Sequence, residues 1–86
     1  MRRSKERIVA DIIRSTNGKG ATKTQIVYRS NLNFKLAQRY LDHLVERGYL
    51  RAEQRGRHTI YFATEKGEAF LKRLSEIERE IESMFE

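Results

Sequence analysis

Cysteine is absent from this 86-residue chain, which excludes a disulfide framework and any thiolate metal site. Long apolar runs are absent too. Ile60-Tyr61-Phe62-Ala63 is among the longest, against the roughly 20 residues that a membrane-crossing helix needs. The first seven residues are mostly charged and no apolar stretch follows them, so a secretory leader is not expected and a soluble, cytoplasmic protein is. Histidine is scarce. His43 and His58 are the only two, and they fall on different predicted elements. No serine–histidine–acid set, metal-ligand cluster or paired carboxylates can be assembled, so catalysis is not expected and neither a cofactor nor a small-molecule ligand is required.

Charge is plentiful and unevenly placed. The chain carries a net +6, with a pI near 10.0. Residues 65–86 hold four Lys/Arg against seven glutamates, a net −3, while residues 1–64 hold fourteen Lys/Arg against five acids, a net +9. A basic body with an acidic tail implies two surfaces with two jobs, and the polyanion-binding surface belongs to residues 1–64. A chain this short buries a modest fraction of its surface, so help from a partner chain is expected.

Along the chain the apolar period is mostly helical. Ser4 can cap a helix over 5–15 whose stripe is Ile8, Val9, Ile12 and Ile13. Thr16-Asn17-Gly18-Lys19-Gly20 ends it with turn residues. Lys23-Thr24 follows these glycines, but Thr22 stands where a phosphate-binding loop needs glycine and no strand precedes, so that motif is rejected. Thr22 and Gln25 form a capping box for a second helix ending near Ser30-Asn31. Leu32 bridges a tight turn to Asn33, which caps a third helix over 34–47 carrying Leu36, Ala37, Tyr40, Leu41, Leu44 and Val45, with Gly48 as a left-handed C-cap. Two helices so joined make a helix-turn-helix. The period then becomes extended: Leu50 to Gln54 and Thr59 to Ala63, separated by Arg55-Gly56-Arg57-His58, read as a β-hairpin. Tyr61 is taken to face inward. Thr64 caps a last helix over 65–86.

The polar side of the third helix is the first candidate site. Lys35, Gln38, Arg39 and Asp42 lie opposite its apolar stripe, near the helix N-terminus that reaches base edges when such a helix enters a major groove. Arg39 suits guanine, Gln38 suits adenine, and Asp42 is expected to orient Arg39 or accept from cytosine. The second candidate is the hairpin, where Arg51, Arg55, Arg57 and His58 can approach phosphates or a minor groove. Lys19, Lys23, Tyr28 and Arg29 are weaker candidates for phosphate contacts. Arg2, Arg3 and Lys5 read as a frayed, solvated terminus rather than a DNA-binding arm.

In the last helix Phe70, Leu74, Ile77, Ile81 and Met84 are spaced four, three, four, three, a heptad seam widened by Leu71 and Phe85. Its outer half should project beyond the body and be covered by a second copy, giving a homodimer. Parallel acidic tails would repel, which favours an antiparallel pair.

The stretch from Ser30 to Leu41, with Leu44 and Gly48-Tyr49-Leu50, and the run Tyr61-Phe62-Ala63-Thr64-Glu65-Lys66-Gly67 resemble the small archaeal winged-helix DNA-binding proteins with a C-terminal coiled-coil helix. The resemblance spans nearly the whole chain from about residue 5. It implies a mainly α, α+β fold: a winged helix-turn-helix domain over 1–64 with three helices and a two-stranded wing, continuous with a dimerisation helix over 65–86. It also implies an archaeal source, a double-stranded DNA partner, a nucleoid location, and dimers joined through an antiparallel coil. Lys35, Gln38 and Arg39 then fall on the recognition helix and residues 55–58 on the wing. Transcriptional regulation is the leading reading; an architectural chromosomal role and a protein-docking winged helix remain as alternatives. An RNA duplex is a poorer partner, because its deep, narrow groove resists helix insertion.

Overall fold

The computed structural model describes residues 3–86. Its elements run α1 (Lys5–Ser15), β1 (Ala21–Thr22), α2 (Lys23–Ser30), α3 (Phe34–Glu46), β2 (Leu50–Arg55), β3 (His58–Ala63) and α4 (Glu65–Ser83). Each helix begins where a side-chain acceptor replaces a missing intrahelical partner. The oxygens of Ser4, Thr22, Asn33 and Thr64 accept from the backbone N–H of Arg7, Gln25, Leu36 and Gly67. At α2 the box is reciprocal, since Thr22 N–H donates to Gln25 Oε1 at 2.9 Å.

The core is one cluster. Ile8, Ile12 and Ile13 of α1 meet Ile26 of α2, Leu41 and Leu44 of α3, and Ala21, Leu50 and Tyr61 from the sheet. Each large apolar side chain so buried contributes roughly 1.5–3 kcal/mol. Tyr61 is inward, which decides an alternation with Ile60 and Phe62 that by itself left either face open.

Three details differ from the sequence reading. The sheet has three antiparallel strands in the order β1-β3-β2, because Ala21 pairs with Tyr61 and Thr22 with Ile60; two residues carry no period-2 signal, so β1 was invisible. The hairpin loop is shorter than the expected four residues. Arg55 and His58 are themselves a cross-strand pair, leaving Gly56-Arg57 as the loop, with Gly56 at φ +60° as a II′-type turn requires of its first central residue. Finally, α4 stops at Ser83 rather than 86, and α3 at Glu46, with Arg47 as its cap.

The N-terminus is docked at Arg3, not frayed. Its guanidinium donates to Asp11 Oδ2 (2.8 Å) and to the Ser30 and Asn31 carbonyls (2.6 and 2.9 Å). These carbonyls close α2, where Asn31 is left-handed at φ 55°, so Arg3 satisfies acceptors the helix end leaves free while tying α1 to the turn before α3. Arg2 lies outside the described residues, and Lys5 opens α1.

The start of α4 is fixed by Gly67. A Cβ there would stand 2.2 Å from the Tyr49 carbonyl oxygen, so only glycine lets the helix pass this close to the chain entering β2. Phe70 and Leu71 then pack on the core. Further out α4 leaves the body: Ile77, Ile81, Met84 and Phe85 are 52, 49, 67 and 83% exposed, and the molecule extends 50 Å along its long axis against 29 and 20 Å across.

Candidate nucleic-acid interface

Helix α3 sorts its side chains by angle. Ala37, Leu41 and Leu44 are buried and Leu36, Tyr40 and Val45 half-buried, while Lys35, Arg39 and Asp42 are exposed and Gln38 is partly covered. The four polar residues form a broad face rather than one ridge. Gln38 lies on the flank toward the wing, in a groove with Lys23, Arg57 and His58. Arg39 lies on the other flank, beside Lys5, Val9 and His43. Asp42 does not orient Arg39: it accepts from Gln38 Nε2 at 2.7 Å, as residues four apart on one helix can, and so fixes the amide that faces the groove.

The groove is where the candidates converge. Alternate strand residues share a face, so Thr59 lies on the side of buried Tyr61, and both line the groove with Arg57 of the turn and Gln38 of α3. The N-terminus of α2 closes the groove with Thr22, Lys23 and Thr24, adding first-turn N–H groups and a positive dipole end to the cations. None of the groove's lining residues is acidic, and among the described residues Arg57 and His58 have no ion-pair partner.

Arg51 and Arg55 are not part of this groove. They share the opposite face of the wing with Glu53, which each of them hydrogen-bonds; Arg55 Nη2 is 2.9 Å from its carboxylate. Both guanidiniums also lie over the Phe62 ring, 4.4 and 5.3 Å from its centroid. The hydrogen bonds from Arg51 and then Arg55 hold the Glu53 carboxyl below its ordinary range. This lattice explains why both faces of β3 are apolar: Tyr61 meets the core, while Phe62 is roofed by arginines, packs under Gly20, and leaves no space for a Cβ at that glycine.

The weaker candidates also separate. Arg29 donates to the Ser15 carbonyl at 2.7 Å and braces α2 against α1. Tyr28 is 87% exposed on α2. Lys23 stands 5.5 Å above the Phe34 ring at the groove's edge, and Lys19 is exposed in the turn after α1. The sequence reading missed Thr24 and Thr59. Thr59 could have been found, since it sits two residues before the inward Tyr61 and must share its face.

The chain belongs to the winged helix-turn-helix family, which it matches over residues 2–82. It is 30% identical to Sso10a-2, a DNA-binding protein from Sulfolobus solfataricus, and superposes on that structure with a TM-score of 0.84 over 96% of this chain and 86% of that one. The multidrug-efflux regulator MepR of Staphylococcus aureus shares the fold at 14% identity (TM-score 0.82, covering 95% of this chain and 62% of that one). An uncharacterised protein of Methanocaldococcus jannaschii is 30% identical over 79 residues, 92% of this chain. The chain spans about a third of that relative's length, 36%.

Proposed function

We propose that this chain binds double-stranded DNA as a homodimer and regulates transcription. Helix α3 enters the major groove, and the wing tip, Arg57 and His58, meets the backbone or the adjoining minor groove. The observation that carries the reading is the acid-free groove in which Lys23, Gln38, Arg57 and His58 converge. Its cations suit a phosphate strand, with bases read by α3. Arg39 can pair bidentately with guanine and Gln38 with adenine, while Lys23, Lys35 and Tyr28 reach phosphates. The likeness to a DNA-binding protein at 30% identity supports the same partner. The exposed seam of Ile77, Ile81 and Met84, with Phe85 beside it, supports a second copy as the other partner.

An architectural chromosomal role is the second reading. Gln38 and Arg39 are the main base-reading groups on α3, and the Gln38 amide is engaged by Asp42. Genome-wide occupancy separates the two: sharp peaks mark a regulator and broad coverage an architectural protein. DNA binding itself is tested by anisotropy with a labelled duplex across a salt series. Affinity should fall steeply with salt and survive an RNA-duplex competitor; a flat salt response, or equal competition by RNA, refutes the proposal. Light scattering should report a dimer that Ile81→Glu converts to monomer, because the charge would enter the seam.

A further inference from the structure

Gln38 differs in kind from the cations that share its groove. Lys23 and Arg57 can only donate hydrogen bonds, which suits phosphate oxygens. An amide has an accepting end and a donating end, and a free one presents either to a ligand. The Gln38 amide is not free. Its Nε2 donates to Asp42 Oδ1 at 2.7 Å, the length of a charge-assisted bond.

Asp42 makes that orientation one-sided. A carboxylate offers only acceptors, so a reversed amide would set oxygen against oxygen at the same short distance. A hydrogen bond to a charged group favours the observed orientation by roughly tenfold or more. Asp42 is exposed one turn beyond Gln38, and among the described residues the Gln38 amide is its single side-chain partner, with no ion pair. No other hydrogen bond among the described residues takes up the Gln38 oxygen. That oxygen and the second amide hydrogen are left for a ligand.

We propose that Asp42 is a positioning residue that sets which bases Gln38 accepts. This rests on the DNA-binding reading above, with α3 in the major groove. There adenine offers an amino donor beside the N7 acceptor, and both ends of the held amide are matched. Cytosine offers an amino donor alone and satisfies the oxygen only. Guanine and thymine present O6 and O4, which place an acceptor opposite the fixed Gln38 oxygen. The order of preference at this base is therefore adenine, then cytosine, with guanine and thymine rejected. Asp42 exerts this choice without touching DNA.

The test compares full-length wild type, Asp42→Asn, Gln38→Ala and the double variant D42N/Q38A. A preferred duplex is selected from a random pool, and all its single-base-pair variants are ranked by competition anisotropy. Asparagine has nearly the shape of aspartate but can donate as well as accept, so it no longer dictates the amide's direction. Wild type should prefer adenine to guanine about tenfold or more at one base of each half-site. Asp42→Asn should narrow that ratio to within about threefold at this base alone, and Gln38→Ala should abolish the preference at the same base. The double variant should match Gln38→Ala, since Asp42 acts only through the amide. An undiminished ratio in Asp42→Asn overturns the inference. So does guanine or thymine as the wild-type choice at the base that Gln38→Ala affects. An Asp42→Asn effect at a different base, or one that persists without Gln38, means that Asp42 contacts a base itself and also overturns it. Steeply salt-dependent binding with no base preference anywhere overturns it while leaving DNA binding intact. Absence of salt-dependent binding overturns the DNA-binding reading itself.

Discussion

Replacing Arg57 by alanine removes a cation that faces the groove and has no ion-pair partner among the described residues. Replacing Arg51 or Arg55 removes one that lies on the wing's other face and is bonded to Glu53. If the groove holds a phosphate strand, the two kinds of substitution must behave differently. Each neutralised phosphate contributes about −0.9 to the slope of log K against log salt, so at about 0.1 M salt losing one contact costs roughly eightfold in affinity, ~1.2 kcal/mol. A dimer on two half-sites loses two contacts. Arg57→Ala should therefore flatten the slope by about 1.8 and weaken binding roughly sixtyfold. Arg51→Ala and Arg55→Ala act at longer range through screened charge and should change Kd by less than about threefold each. The assay is fluorescence anisotropy of a labelled duplex between about 0.05 and 0.3 M salt, where the slope is well determined. An unchanged slope in Arg57→Ala, or losses in Arg51→Ala that equal it, would refute the placement of the DNA strand between α3 and the wing.

Three further outcomes follow from the same structure. Arg39→Ala should narrow the affinity ratio between a preferred and a random duplex by about 1–3 kcal/mol per base pair read, measured by competition; an unchanged ratio would mean that Arg39 does not read bases. Gly67→Ala should lower stability by at least about 1–3 kcal/mol, the usual cost of overpacking, since the Tyr49 carbonyl it would strike is backbone and cannot swing aside; a wild-type Tm would contradict the close approach. Glu53 has its carboxyl pKa depressed in the folded protein, so its contribution to stability is complete above the ordinary carboxylate range and is lost as pH falls through the lowered value. Thermal melts of wild type and Glu53→Gln should accordingly differ by a small constant at neutral pH and converge in acid, and a gap that widens in acid would contradict the Arg51–Glu53–Arg55 lattice.

What could be read along the chain was whatever depends on near neighbours in sequence. The four helices, their caps at Ser4, Thr22, Asn33 and Thr64, the left-handed exit at Gly48 and the two wing strands are all local: each needs one side chain three residues from an N–H, or an apolar period over one element. The candidate residues of α3 followed from that period alone. The seam of α4 was legible for the same reason, and its exposure in the structure agrees with a helix too long for the body it leaves.

Pairings between residues far apart in sequence, by contrast, awaited the tertiary structure. The three arginines of the wing look alike in sequence, yet the fold sets Arg57 of the turn in a groove with Gln38 of α3 and locks Arg51 and Arg55 to Glu53 on the far side. Arg3 reads as part of a loose terminus until α2 brings the Ser30 and Asn31 carbonyls within reach, 27 and 28 residues away. The two-residue strand at Ala21, the partnering of Asp42 with Gln38, and the glycine at 67 have the same origin. Composition and periodicity settle which face of a segment is apolar, because that is decided by spacing along one element. Which cation stays free to meet a ligand is decided by what other elements bring beside it, and that information exists only once the chain has packed.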